Sequence, residues 1–271
     1  VDADEYEKED VRDFALWKAW DADDGDVYWE TELGKGRPGW HIECSAMSMF
    51  YLGDNFDIHC GGRDLIFPHH ENEIAQAEAS TGKSFANYWL HNGMLTINGE
   101  KMAKSSGNFV TVEEVLKKYH SDVVKFFFLS ANYNSPMDFT WERLEEAKAV
   151  KERFDSFLAR VKNIKKPEGK QGGSQGLFDN YQIEMKEESE NFRQAMDDDF
   201  NTALALGCLN KLLVLGNNVY KNSELSFPQK IVLLIEIKNY LLKFGAVFSL
   251  FTNGNNLGED YDCLLYTSDA A

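Results

Sequence analysis

The chain has 271 residues, 43% hydrophobic and 27% charged, with a formal net charge of −17. That length supplies core for one large domain or two ordinary ones, and every apolar run falls short of a membrane span. So acidic a balance argues against nucleic-acid binding at first sight, which makes the location of the charge matter.

Residues 1–36 hold 13 acids against 4 bases, residues 179–199 hold 8 against 2, and residues 143–170 hold 9 bases against 5 acids. The basic stretch reads either as a solvated helix face with i,i+4 pairs or as a local phosphate-facing patch, since fields are screened within about 10 Å at 0.1 M salt. The four cysteines, at 44, 60, 208 and 263, form no CxxC pair, and the start is acidic rather than signal-like. Free thiols in a reducing cytosol are expected.

In chain order, residues 1–36 read as an acidic connective segment with Trp17, Trp20 and Trp29 among aspartates and a DADDGD turn. Residues 37–110 alternate short apolar runs with helical periods, the pattern of an α/β sheet domain. GRPG is expected as a turn opening a helix over WHIECSAMSM. Asp57-Ile58-His59 reads as the end of a buried strand, and Gly61-Gly62-Arg63-Asp64 as the turn after it. Open α/β sheets bind ligands at such strand ends, where glycines admit a close backbone approach and Asp64 can accept from ribose hydroxyls. A plain strand-to-helix connection is the alternative.

Pro68 suits the first position of a helix running to about Ala79. His69 and Glu73, four apart, then share one face. Such a pair is either an ordinary polar contact or two ligands of one metal ion. Zinc accepts nitrogen, oxygen and sulfur, and Cys44 offers the sulfur. His70, three from Glu73, is the rival ligand, with His69 preferred.

Trp89-Leu90-His91 and Met94–Ile97 read as strands, and Asn98-Gly99 as a tight turn. GEKMAKSSGNF, 99–109, is either a generic exposed loop or a mobile basic arm suited to an ATP triphosphate. Thr111 with Glu114 forms a capping box, Ser121 starts a second, largely buried helix, and Thr140 opens a long amphipathic helix to about Ile164. Residues 165–176 read as a flexible linker, and leucine-rich helices at about 178–196, 201–220 and 228–250 as a bundle. Residues 263–271, CLLYTSDAA, resemble read-through of a sequencing-library adapter and are set apart from the fold.

Taken in order, GRPGWHIECSAMS, DIHCGGRDLIFPHHENEIAQAEA and WLHNGMLTINGEKMAKSSGNF closely resemble the cysteinyl-tRNA synthetases, class I aminoacyl-tRNA synthetases. The resemblance runs from about Asp13 to Thr140 and more loosely to about Leu250, where MDDDFNTALAL is similar to the family's helical anticodon-side domain. It implies an α/β fold: the C-terminal part of a Rossmann-type catalytic domain, a helical stem-contact region at 111–164, and a partial α-helical bundle at 177–250.

By the same resemblance, Cys44, His69 and Glu73 are three of four ligands of one zinc ion that selects the substrate thiol. Trp40 and His59 line the amino-acid pocket, and Gly62 and Asp64 hold the adenosine ribose. Lys101, Met102, Ala103, Lys104 and Ser105 match the KMSKS signature, with Lys101 and Lys104 catalytic. Cysteine tRNA, L-cysteine and ATP with Mg²⁺ are the implied partners, with a monomeric protein and no membrane. The HIGH signature and the fourth zinc ligand, a cysteine, are expected upstream of Val1, so the chain alone is expected to be inactive. Two departures stand out. Ala103 replaces a serine, and Cys60 replaces a glycine of the HGGG turn, which puts that turn's backbone angles in question and places a thiol near the metal.

Overall fold

A computed structural model describes residues 13–102, 109–164 and 172–251. Contacts divide the chain into two units, Val1–Met94 and Leu95–Ala271.

In the first unit, three short strands, β1 (Trp17–Ala19), β2 (Trp29–Thr31) and β3 (Gly34–Pro38), form an antiparallel sheet in the order β1-β3-β2. The segment expected as connective is therefore a folded sheet, and the expected boundary at 36/37 falls inside β3. The DADDGD turn is a single 3₁₀ turn, Ala22–Asp24, in which Asp21 accepts from the Asp23 and Asp24 amides. The Lys35 ammonium lies 3.5 Å from the Trp20 ring centroid and 3.8 Å from that of Tyr28. GRPG is strand rather than turn up to Pro38, because Gly36 lets two strands pass closely. A Cβ there would lie 2.2 Å from the Lys18 carbonyl oxygen and 2.6 Å from Trp17 Nε1.

Gly39 is the N-cap of helix α1 (Trp40–Leu52), which packs on α2 (Glu71–Thr81). The strand after α1, β4 (Phe56–Gly62), pairs in parallel with the strand after α2, β5 (Ala86–Asn92), from Phe56↔Ala86 to Gly62↔Asn92. The strand thus continues past His59: Gly61 and Gly62 are extended and paired, not a turn. Nor is it buried throughout, since Phe56 is buried while Ile58 is 53% exposed. Cys60 pairs with Leu90 and is absent from the positive-φ residues, so the doubt raised by its replacing a glycine falls away. Phe56, Ala77, Phe85 and Ala86 form this unit's small core.

In the second unit, β6 (Leu95–Ile97) lies between β7 (Glu100–Lys101), antiparallel, and β8 (Met137–Phe139), parallel. Asn98 (φ 52°) and Gly99 (φ 80°) make the expected tight turn. Helices α3 (Val112–Lys118), α4 (Ser121–Leu129) and α5 (Trp141–Lys162) follow, with Thr111, His120 and Thr140 as N-caps. Ser174 caps α6 (Gln175–Asp197), so the linker ends before 176; its residues 165–171 lie outside the described ones. Helices α7 (Thr202–Lys221) and α8 (Phe227–Val247) complete the unit.

The helices expected as two regions share one core, which runs from Ile97 through Phe154 and Phe157 to Leu241 and Leu250. Gly216 of α7 shows why they join: a Cβ there would lie 2.4 Å from the Phe157 ring of α5. Among the described residues, no helix is long and apolar enough to cross a membrane.

Candidate metal centre

The first unit concentrates chemistry where α1 faces the start of α2. Phe67 (φ −132°, ψ 130°) breaks helical geometry, and a tight turn from Pro68 to His70 leads into α2. That turn delivers His69 and His70 as buried side chains above Glu73, which is 0% exposed.

Cys44, reaching from α1, brings its sulfur within 4.8 Å of ligand atoms of His69 and Glu73. His69 Nε2 stands 3.7 Å from Glu73 Oε1. Two ligands of a tetrahedral zinc lie about 3.5 Å apart, from bond lengths of roughly 2.0–2.3 Å, so the spacing needs little contraction to close on an ion. Both Glu73 oxygens are buried without a hydrogen-bond partner, a costly state for a carboxylate unless a cation completes it. His59 Nε2 is 3.1 Å from Oε2 but is not aligned as a donor. Sulfur, imidazole and carboxylate together suit zinc. His59, His70 and Glu73 form a second such group, sharing the same carboxylate.

Two residues that sequence reasoning passed over support these ligands. His41 Nδ1 lies 2.7 Å from His69 Nδ1, leaving Nε2 of His69 for the metal side. His91 Nε2 lies 2.8 Å from His70 Nδ1. The signal for His41 was present, since it stands three residues before Cys44 on one helix face. His91 carried no such signal, because it meets His70 only through strand pairing.

Burial shapes the protonation of the group. It pushes the His69 imidazole below its usual range and that of His70 down to about 4, with the Glu73 charge opposing it. Neutral imidazole is the ligating form. Burial first, then the negative charges of Glu73 and Glu43, push the Cys44 thiol up. A bound cation reverses that balance and favours thiolate.

Of the remaining expected site residues, Trp40 and His59 border the group. The Trp40 ring centroid is 4.5 Å from that of His69. Gly62 and Asp64 are close: a Cβ on Gly62 would sit 2.3 Å from Asp64 Oδ1, so that carboxylate would have to move aside. Cys60 is exposed and belongs to neither metal-capable group. In the second unit, β7 ends on Lys101, and Met102 packs against that unit's core. Ala103, Lys104 and Ser105 lie outside the described residues, as do 263–271.

Residues 1–149 match the family of tRNA synthetases class I (C), catalytic domain. The chain belongs to this class I tRNA synthetase family. Residues 191–252 of this synthetase chain match the DALR domain. It is 50% identical over 246 residues to a cysteine--tRNA ligase of Geobacter metallireducens, covering 89% of the chain and 49% of the relative. It is 48% identical over 254 residues to that of Carboxydothermus hydrogenoformans, covering 92% and 52%. The synthetase chain therefore spans about half the length of these curated relatives. Its fold is also similar to the LeuRS of a ternary LeuRS–tRNA–LeuAMS crystal structure from Agrobacterium radiobacter K84, at TM-score 0.58 and 14% identity, covering 85% of this chain and 35% of the other.

Proposed function

We propose that the protein containing this chain is a cysteine--tRNA ligase. It attaches L-cysteine to cysteine tRNA through a cysteinyl-adenylate and acts as a monomer in the cytoplasm. The observation that carries this reading is the convergence of Cys44, His69 and Glu73 around a buried carboxylate with neither oxygen hydrogen-bonded. Relatives named for the same activity and the helical DALR match support it.

In this reading Cys44, His69 and Glu73 would hold a zinc ion, which would supply a Lewis acid that prefers a thiolate sulfur to serine's hydroxyl. His69 keeps its proton on Nδ1, donated to His41, so that Nε2 is the ligand. Trp40 supplies an apolar face and His59 a ring nitrogen beside the bound amino acid. Gly62 and Asp64 take the adenosine ribose.

A carboxylate oxygen of the substrate attacks the α-phosphorus of ATP in line, so an O–P bond forms as the bond from that phosphorus to the bridging oxygen of pyrophosphate breaks. Lys101 and Lys104 neutralise charge on the leaving pyrophosphate, and Mg²⁺ accompanying ATP would supply further positive charge there. A terminal ribose hydroxyl of the tRNA then attacks the carbonyl, AMP departs, and the hydroxyl proton is released.

The chain contains no His-x-x-His, so these 271 residues alone are expected to be inactive and the assay belongs to the longer protein. Cysteine-dependent ATP–pyrophosphate exchange should exceed serine-dependent exchange by more than the roughly 200-fold that shape alone provides, and Cys44→Ser should erase that margin. Transfer of cysteine to an amino sugar in preference to tRNA, or exchange indifferent to the thiol, would contradict the reading.

A further inference from the structure

The two helices that carry the candidate metal ligands meet through polar side chains. On α1 the buried residues are His41 and Ser45, and on α2 they are Asn72, Glu73 and Ala77. The small apolar core of this unit takes Ala77 from α2 and only the partly buried Met49 from α1. Apolar packing therefore does little to fix the distance between Cys44 on one helix and Glu73 on the other. A directional contact is needed for that.

Ser45, the residue after Cys44, makes it. Its hydroxyl, in a residue 1% exposed, lies 2.7 Å from Oε1 of Gln76 on α2 and 3.0 Å from the His41 carbonyl oxygen, one turn back on α1. Gln76 stands three residues after Glu73, on the same helix face. One hydroxyl proton cannot serve two acceptor oxygens fully.

The donors missing from this arrangement are close by in the chain. Gln76 Nε2 is buried without a hydrogen-bond partner, and so is Nδ2 of Asn72, a 5% exposed residue four positions earlier on α2. Buried amide donors are rarely left unpaired, and residues four apart on a helix are neighbours. The oxygen and nitrogen of a carboxamide exchange places by a half-turn, and the hydrogen-bond network decides between the two orientations. With the Gln76 amide turned, Nε2 donates to Ser45 Oγ and the Ser45 proton goes wholly to the His41 carbonyl. Gln76 Oε1 then accepts from Asn72 Nδ2. A single rotation satisfies every one of these groups.

Resting on the metal centre proposed above, we infer that Asn72, Gln76 and Ser45 form a cross-brace between α2 and α1 that holds the Cys44 sulfur in register with His69 and Glu73. The three are positioning residues for zinc. None belongs to the group of ligand atoms itself, and the brace ends on His41, whose ring meets that of His69.

The test measures zinc affinity of the folded full-length protein by competition with a chromogenic chelator, beside the visible spectrum of the cobalt(II)-loaded form. Ser45→Ala and Gln76→Met should each weaken zinc roughly 10-fold, the lower end of what outer-shell partners contribute, with zinc content at saturation unchanged. Asn72→Ala should weaken it in the same direction. Because both substitutions break one brace, the Ser45→Ala/Gln76→Met double variant should lose no more than the larger single loss. The cobalt bands should shift in each variant, as the sulfur moves relative to the other ligands. A role in stability alone would lower the metal-free unfolding midpoint and leave affinity and bands as they were. Gln76→Met keeps length and bulk, which preserves the test if Ser45→Ala does not fold.

Unchanged zinc affinity in any of the three single variants, losses that multiply in the double variant, or cobalt bands that stay in place would overturn the inference. Failure of the unsubstituted protein to bind zinc, or equal binding by Cys44→Ser, would instead defeat the metal centre on which the brace depends.

Discussion

Replacing Glu73 by glutamine should move the metal-free and zinc-loaded chains in opposite directions. Glu73 is 0% exposed, and neither of its oxygens has a hydrogen-bond partner. A buried polar group left in that state costs about 1–3 kcal/mol, and a charged one more. The amide has nearly the same shape without the charge, and its NH₂ can donate to the imidazole of His59 or His69, whose Nε2 atoms stand 3.1 and 3.7 Å from the carboxylate. The metal-free variant should therefore gain on the order of 1 kcal/mol.

Zinc reverses the ranking. A neutral carboxamide is a poor ligand, and a loss of about 100-fold in affinity corresponds to about 2.7 kcal/mol. At free zinc 100 times the unsubstituted Kd, the unsubstituted chain gains about 2.7 kcal/mol and the variant about 0.4 kcal/mol. At about 4 °C per kcal/mol for a unit of this size, the zinc-induced rise in midpoint is roughly 11 °C against roughly 2 °C. Thermal unfolding with chelator and with buffered zinc reads both signs. A variant that keeps the full zinc-induced rise, or whose metal-free form is destabilised by several kcal/mol, would refute the role given to the carboxylate.

Three other perturbations are independent of metal. Gly61→Ala places a Cβ 2.6 Å from His70 Cε1 and 3.1 Å from Leu65 Cδ1; overpacking of that kind should lower stability by about 1–3 kcal/mol in urea unfolding, and a neutral result would show that the His70 ring is not fixed. On α7, Gly216→Ala meets the Phe157 ring at 2.4 Å, whereas Gly207→Ala meets nothing within 4 Å. The first should destabilise by about 1–3 kcal/mol and the second stabilise by about 0.5–1 kcal/mol; equal effects on the denaturation midpoint would contradict the shared core. The Arg37 side chain, donating to Asp24 at 2.7 Å, holds that carboxyl below its ordinary value of 3.8. A depressed folded-state pKa gives stability that is present above 3.8 and lost as pH falls through the lower, folded value. Asp24→Asn should therefore flatten the acid limb of the unfolding midpoint below that pH and lower stability at neutral pH, and an unaltered acid limb would rule the pair out as its source.

Legibility in the sequence followed the range of the interactions. Caps such as Thr111 with Glu114, the Asn98-Gly99 turn and the His69–Glu73 pair are local, so spacing alone conveys them. Cys44 could be joined to them because zinc also accepts sulfur, although nothing local says that α1 packs on α2. Three-residue strands such as β1, β2 and β8 have too few positions to display an alternating period, and they exist through pairing with distant strands. The same limit hid the union of α5 with α7 and α8. The contact of Gly216 with Phe157 spans 59 residues and crosses the polar stretch that reads as a linker. His91 became visible as a partner of His70 only once β4 and β5 were aligned.

Zinc K-edge absorption on the zinc-loaded full-length enzyme, alone and with L-cysteine or L-serine, addresses the metal centre most directly. Added cysteine should bring one further sulfur at about 2.3 Å beside the protein's sulfur and nitrogen/oxygen ligands, with Cys44→Ser lowering the sulfur count by one in every state and serine leaving the spectrum unchanged. A spectrum insensitive to cysteine, or one untouched by Cys44→Ser, would contradict a thiol-recognising zinc held by Cys44, His69 and Glu73.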